Sequence, residues 1–95
     1  MSKYEIMYIV NASLEDAAFQ EVSNNLHAII TNNNGEVTNV DDWGVREFAY
    51  EIKHMNKGHY VVIKATCDAA AIKEFDRLAR INSNVVRHMI IAEDK

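Results

Sequence analysis

Apolar residues recur along this chain at two different spacings, and the switches between them outline its elements. Tyr4 to Val10 is rich in Tyr, Ile, Met and Val without a breaker, which predicts a first strand interrupted by Asn11-Ala12-Ser13. Phe19, Val22, Leu26, Ile29 and Ile30 then follow helical spacing, so an amphipathic helix is expected over about 14–32. Ser13 with Asp16 three residues on resembles a capping box that has Asp in place of the usual Glu or Gln. The run Asn32-Asn33-Asn34-Gly35 tolerates the left-handed backbone that ends helices, which accounts for it without a binding loop.

Val37 to Ile52 exceeds an ordinary strand, and Gly44 near its middle is the expected place for a bulge or bend. Asn56-Lys57-Gly58 reads as the turn of a hairpin whose second strand runs from His59 to Thr66. Asp68 is expected to cap a second helix carrying Ile72, Phe75, Leu78 and Ala79 on one side. Asn82-Ser83-Asn84 then releases the chain into a last strand, Val85 to Ala92. The order is strand, helix, strand, strand, helix, strand. That order predicts an α+β, ferredoxin-like split βαβ domain over residues 1–95, with a four-stranded antiparallel sheet and two helices packed on one face. The other sheet face is left for a ligand, a partner or a second copy.

The long strand carries the most suggestive chemistry. From Val45 it alternates Arg46, Phe48, Tyr50 and Ile52 against Val45, Glu47, Ala49, Glu51 and Lys53. One face therefore mixes a cation and rings with apolar residues, a combination that can grip a polyanion while rings stack. The plainer reading keeps Phe48, Tyr50 and Ile52 as core and Arg46 as a rim charge.

With 95 residues, 48% of them hydrophobic and 25% charged, the composition is that of one ordinary globular domain, and no apolar run approaches the length of a membrane span. Met1 to Glu5 shows no signal-peptide pattern and Cys67 is the only cysteine, so the expectation is a cytoplasmic protein without an internal disulfide. A net charge of -4 argues against a general nucleic-acid coater, whose affinity comes from many Lys and Arg. Acidic residues gather at Glu15, Asp16 and Glu21, at Asp41 and Asp42, and at Glu93 and Asp94. Arg77, Arg80 and Arg87 lie near the C-terminal end, which leaves room for a local basic patch.

Catalysis has little to build on. Cys67 sits between a strand and a helix start and reads as a buried, inert thiol. His54 and His59 flank the predicted turn, but no Cys or carboxylate stands at a spacing that completes a tetrahedral metal site with them. The glycines are scattered at Gly35, Gly44 and Gly58, so no phosphate-cradling loop is expected. Acylphosphatases share the expected fold, but the loop Asn11 to Leu14 carries neither the Arg nor the Gly of their phosphate site. The RNA-recognition motif shares it too, yet Gly58-His59-Tyr60-Val61-Val62-Ile63 lacks its basic-glycine-aromatic series. RNA contact would then come from strand edges and loops that read a folded shape. Arg77 and Arg80 ending the second helix serve either the helix dipole or a phosphate clamp, which Arg87-His88 would extend.

Several separated motifs now stand in order: Lys3-Tyr4-Glu5, Trp43-Gly44-x-Arg46-x-Phe48-Ala49-Tyr50-Glu51-Ile52, Gly58-x-Tyr60, Glu74-Phe75-Asp76-Arg77-Leu78 and Arg87-His88-Met89-Ile90. Together they resemble the bacterial small-subunit ribosomal protein S6 family along the whole chain. The resemblance implies a ferredoxin-like structural protein, located in the cytoplasm within the ribosome, that joins ribosomal protein S18 and binds the central domain of small-subunit ribosomal RNA as a pair. It implies no catalytic role, no cofactor, no metal, no small-molecule substrate and no membrane. By similarity, Lys3, Tyr4, Arg46, Tyr50, Arg80 and Arg87 are the expected RNA contacts, with the partner against the sheet and long hairpin. Two cations usual in the family are absent: Asn11-Ala12 stands where Arg-Pro is common, and Glu47 where a basic residue is common. Fewer phosphate contacts mean weaker, less salt-sensitive binding and greater reliance on the protein partner. The rival reading is a regulatory domain that forms a homodimer through its open sheet and binds a small ligand, against which stands the lack of a glycine-rich ligand turn.

Overall fold

The computed structural model describes residues 1–52 and 55–93, in which β1 (Ser2–Asn11), α1 (Asp16–Asn32), β2 (Glu36–Ile52), β3 (Met55–Cys67), α2 (Ala69–Ile81) and β4 (Val85–Ala92) follow one another. The strands form one antiparallel sheet in the order β2-β3-β1-β4, so β1 is paired on both sides, to β3 and to β4. This is the ferredoxin-like βαββαβ arrangement expected from the pattern.

Alternation along β1 decides which face is covered. Ile6, Tyr8 and Val10 are fully buried and cluster with Val61, Ile63, Ala65 and Cys67 of β3 and with Val85 of β4. Phe19, Val22, Leu26 and Ile30 of α1 and Ala71, Phe75 and Ala79 of α2 complete the same cluster, so both helices lie on that one face. Burying side chains of this size contributes roughly 1.5–3 kcal/mol each. Capping contributes less here: Glu15 and Asp68 occupy the N-cap positions, and neither side chain makes a cap hydrogen bond. A missing cap forgoes only about 1 kcal/mol, so packing of one stripe holds both helices in place.

The expected capping box therefore does not form. Asn11 Oδ1 accepts both the backbone N–H of Ser13 at 3.0 Å and its hydroxyl at 2.7 Å, so Ser13 is committed to the loop and α1 begins later, at Asp16. Asp68 does precede α2 as expected, but its carboxylate lies 3.9 Å from the N-terminal amine and leaves the helix N–H groups alone. The asparagine run ends α1 as predicted, with Asn34 at φ 65°.

A second correction concerns the hairpin. Asn56, Lys57 and Gly58 are not its turn; they belong to β3, and Gly58 pairs with Asn11 on one side and Arg46 on the other. The connection between Ile52 and Met55 lies outside the described residues, as does His54. Gly58 serves close approach: a Cβ there would collide with Ile9 Cγ2 and lie 2.7 Å from Phe48 Cζ. The bulge expected at Gly44 is present, with a register shift between Asp42 and Gly44 and φ 81° at the glycine.

One polar network crosses the core. The Tyr8 hydroxyl lies 2.7 Å from Ser23 Oγ and 2.9 Å from His27 Nε2, tying the central strand to α1. All three groups are satisfied when Ser23 donates to Tyr8 and Tyr8 donates to a neutral imidazole. Burial pushes the phenol up to about 12 despite the Ser23 bond, and burial pulls His27 below its ordinary value.

Two outcomes follow. Replacing Gly58 with Ala should cost about 1–3 kcal/mol in urea unfolding, because Ile9 and Phe48 must both give way. Since folded His27 resists a proton that the unfolded chain accepts, stability should fall as pH drops below about 6.5, by no more than about 1.4 kcal/mol per pH unit for one proton. The H27Q variant should lose that share of the slope above pH ~5, where the depressed carboxyls of Asp42 and Asp76 still contribute fully.

Candidate nucleic-acid interface

The face opposite the helices is set by the same alternation. Lys3, Glu5, Met7 and Ile9 of β1 point to it, and the register brings Arg87, Met89 and Ile91 of β4 and Tyr60, Val62 and Lys64 of β3 alongside them. β2 contributes through its bulge. Trp43 and Arg46 are three residues apart and would face opposite ways in a regular strand. The extra residue between Asp42 and Gly44 restores Trp43 to the open side, where its ring stacks on Tyr60 with centroids 6.3 Å apart at 11°. The Arg46 guanidinium lies over the Trp43 ring, 5.3 Å from its centroid, and Phe48 tilts against Tyr60 at 6.2 Å. A cation and three rings thus form one platform.

Beside it is an apolar cleft of about 140 Å³ lined by Glu5, Met7, Trp43, Val62, Met89 and Ile91. That volume is below the ~300 Å³ at which small-molecule pockets begin and suits a protruding side chain of a partner. Trp43, Met89 and Ile91 remain 43%, 48% and 48% exposed, which is unusual for large apolar residues on a small acidic protein.

The six expected contact residues do not come together. Arg46 and Arg87 are both exposed on the open face at the end of the sheet where β1 meets its loop, on the two edge strands, about 15 Å apart by strand spacing. Lys3 is exposed on the same face but six residues back along β1, about 20 Å away. Tyr50 is 70% exposed and follows Phe48 by two positions, out on the long hairpin. Tyr4 instead packs, partly buried, against the core on the helix side. Arg80 is exposed at the end of α2 and pairs with Asp76 at 2.6 Å.

Nor do Arg77, Arg80 and Arg87 form one patch. Arg77 forks onto Glu74 at 3.0 and 2.9 Å, and Asp76 accepts from His88 at 2.7 Å as well as from Arg80. The His88 bond, working against partial desolvation and aided by the Arg80 charge, holds the Asp76 carboxyl below the usual range. His88 thus faces the helix layer while its neighbour Arg87 faces the open side. Cys67 is fully buried, and burial with the nearby Asp68 carboxylate pushes its thiol up, as suits an inert core group.

Periodicity did not reveal Trp43, Met7, Met89 and Ile91 as surface residues of one face. A signal was present, however, since apolar residues at alternate positions on both sides of a strand mean that something covers both sides.

A ferredoxin-like sheet with a cation-bearing, partly apolar open face has the features of a surface for RNA and protein contact. The family model of ribosomal protein S6 matches residues 3–92. The crystal structure of 30S ribosomal protein S6 from Thermotoga maritima superposes with a TM-score of 0.91 at 28% identity, covering 97% of this chain and 87% of that one. The chain belongs to the ribosomal protein S6 family. It is a small-subunit ribosomal protein, a structural rather than enzymatic component of the translation machinery.

Proposed function

We propose that this chain works as one half of a heterodimer with ribosomal protein S18, and that the pair binds the central domain of small-subunit ribosomal RNA in the cytoplasmic ribosome. The observation that carries the reading is the open sheet face, where half-exposed Trp43, Met89 and Ile91 surround a cleft of side-chain size while Arg46 and Arg87 stand at its two margins. The apolar centre suits a protein partner and the marginal cations suit phosphates that run past it. A chain of net charge -4 gains little from phosphate contact alone, so joint binding supplies the affinity.

In this reading Arg46, Arg87, Lys3 and Tyr50 meet RNA directly. Arg80 does so by exchanging Asp76 for a phosphate, and Tyr4 offers only what its packing against the core leaves exposed. The absent cation at Glu47 is offset in part by Lys57, its register partner on β3. At Asn11-Ala12 the groove formed by Asn11, Ala12, Ser13, Met55, Asn56 and Lys57 offers, among the described residues, that same Lys57 as its cation.

The test is binding to a labelled central-domain fragment by this protein alone, by S18 alone and by both. Tight, salt-sensitive binding is expected only for the mixture. Ala at both Arg46 and Arg87 should leave the fold intact by circular dichroism, weaken binding by the pair, and flatten the plot of log affinity against log salt by about 1.5 units. Unchanged affinity and slope would remove both arginines from the interface.

A further inference from the structure

The two faces of the sheet are coupled at the Gly44 bulge. On the helix side, the His59 imidazole lies flat on Phe19 of α1, with centroids 3.8 Å apart at an angle of 3°. Its Nε2 is 2.6 Å from Asp42 Oδ1, and that same oxygen accepts the Gly44 N–H at 2.8 Å. One carboxylate oxygen therefore closes the tight turn of the bulge and hangs it from a ring fixed to the helix layer. The neighbouring residues in each strand, Trp43 and Tyr60, point the other way and make the stack on the open face. Trp43 gains a further tie as its Nε1–H donates to Asp41 Oδ2 at 3.0 Å.

A Cβ on Gly44 would meet nothing within 4 Å, so packing against that residue does not fix the bulge. Its positive φ is held by the hydrogen bonds around it. The carboxyl of Asp42 lies below its ordinary range: burial opposes this, but the His59 and Gly44 hydrogen bonds to its oxygen outweigh it.

We propose that Asp42 and His59 are positioning residues for the open face, holding the Gly44 bulge in the conformation that lays Trp43 on Tyr60 and under Arg46, so that the protein partner meets a preformed wall of the cleft. The inference rests on the reading of that face as the docking surface. Its physical content is preorganisation: a partner that binds only the stacked conformer loses affinity in proportion to the fraction of time the bulge spends elsewhere.

Trp43 is the single tryptophan, so its fluorescence reports on the bulge in the free protein. Three variants separate the contributions. D42A removes the shared acceptor. H59F keeps a ring on Phe19 but loses the hydrogen bond. D42N keeps an oxygen that can accept from both donors and changes net charge as D42A does. D42A and H59F should lower Trp43 anisotropy and shift its emission to the red with circular dichroism unchanged, and should raise the Kd for purified S18 about tenfold, the effect of reducing the stacked fraction to about 0.1. D42N should stay close to the parent protein in both measurements.

Parent-like Trp43 fluorescence in D42A and H59F would overturn the proposal, and so would a loosened Trp43 with unchanged S18 affinity. If the variants loosen Trp43 while the parent protein itself fails to bind S18, the clamp on Trp43 stands and the docking reading falls.

Discussion

Burial of one side of β1 against both helices is the constraint from which the rest of the molecule follows. β1 is paired on both sides, and Ile6, Tyr8 and Val10 have no exposure. A slip of one residue along either ladder would carry that set to the open side and bring Glu5 and Met7 under the helices. The Tyr8 hydroxyl adds direction to what apolar contact leaves loose, because only one register brings it to both Ser23 and His27. Once that register is set, Lys3, Met7, Arg87, Met89 and Tyr60 are assigned to the other face without further choice.

The elements and their order were legible in the sequence because each buries a continuous stripe, and stripes leave periods. The Phe19-to-Ile30 spacing and the long strand interrupted at Gly44 are such cases. What was not legible depended on contacts between distant residues. Gly58 resembles a turn residue when only Asn56 and Lys57 are considered, but it is a strand residue kept bare by Ile9 and Phe48, which are ten or more positions away and on other strands. Ser13 has the side chain of a cap, and a nearer acceptor in Asn11 claims it. The candidate site divides in the same way. The alternation of Arg46 with Phe48 was visible, whereas the meeting of Arg46 with Trp43 needs a one-residue insertion in the ladder that period-two counting does not anticipate. Arg80 and Arg87 are close in sequence, yet one belongs to the helix layer and the other to the open face.

The charge distribution explains how an acidic protein can belong to an RNA-rich assembly. Arg77 and Arg80 are each engaged by a carboxylate of their own helix, so their charge is largely neutralised where it stands. Arg46 and Arg87 lie apart on opposite edges of the sheet, too far from one another to form a concentrated field. Such an arrangement attracts a polyanion weakly from a distance and engages it only once the protein is seated, which favours site-specific assembly over indiscriminate coating.

β1 ends at Asn11 opposite Gly58, and beyond that rung β2 and β3 continue outward with no third strand beside them among the described residues. An isolated pair of strands has little stability of its own and twists more freely than a wider sheet. The arm is anchored to the body mainly where Ile9 and Phe48 close over the bare backbone of Gly58. The arm therefore projects from the body like a cantilever from one packed root. Its exposed Tyr50 stands clear of the body, so a side chain carried there gives up contact with its own core for reach toward a neighbour.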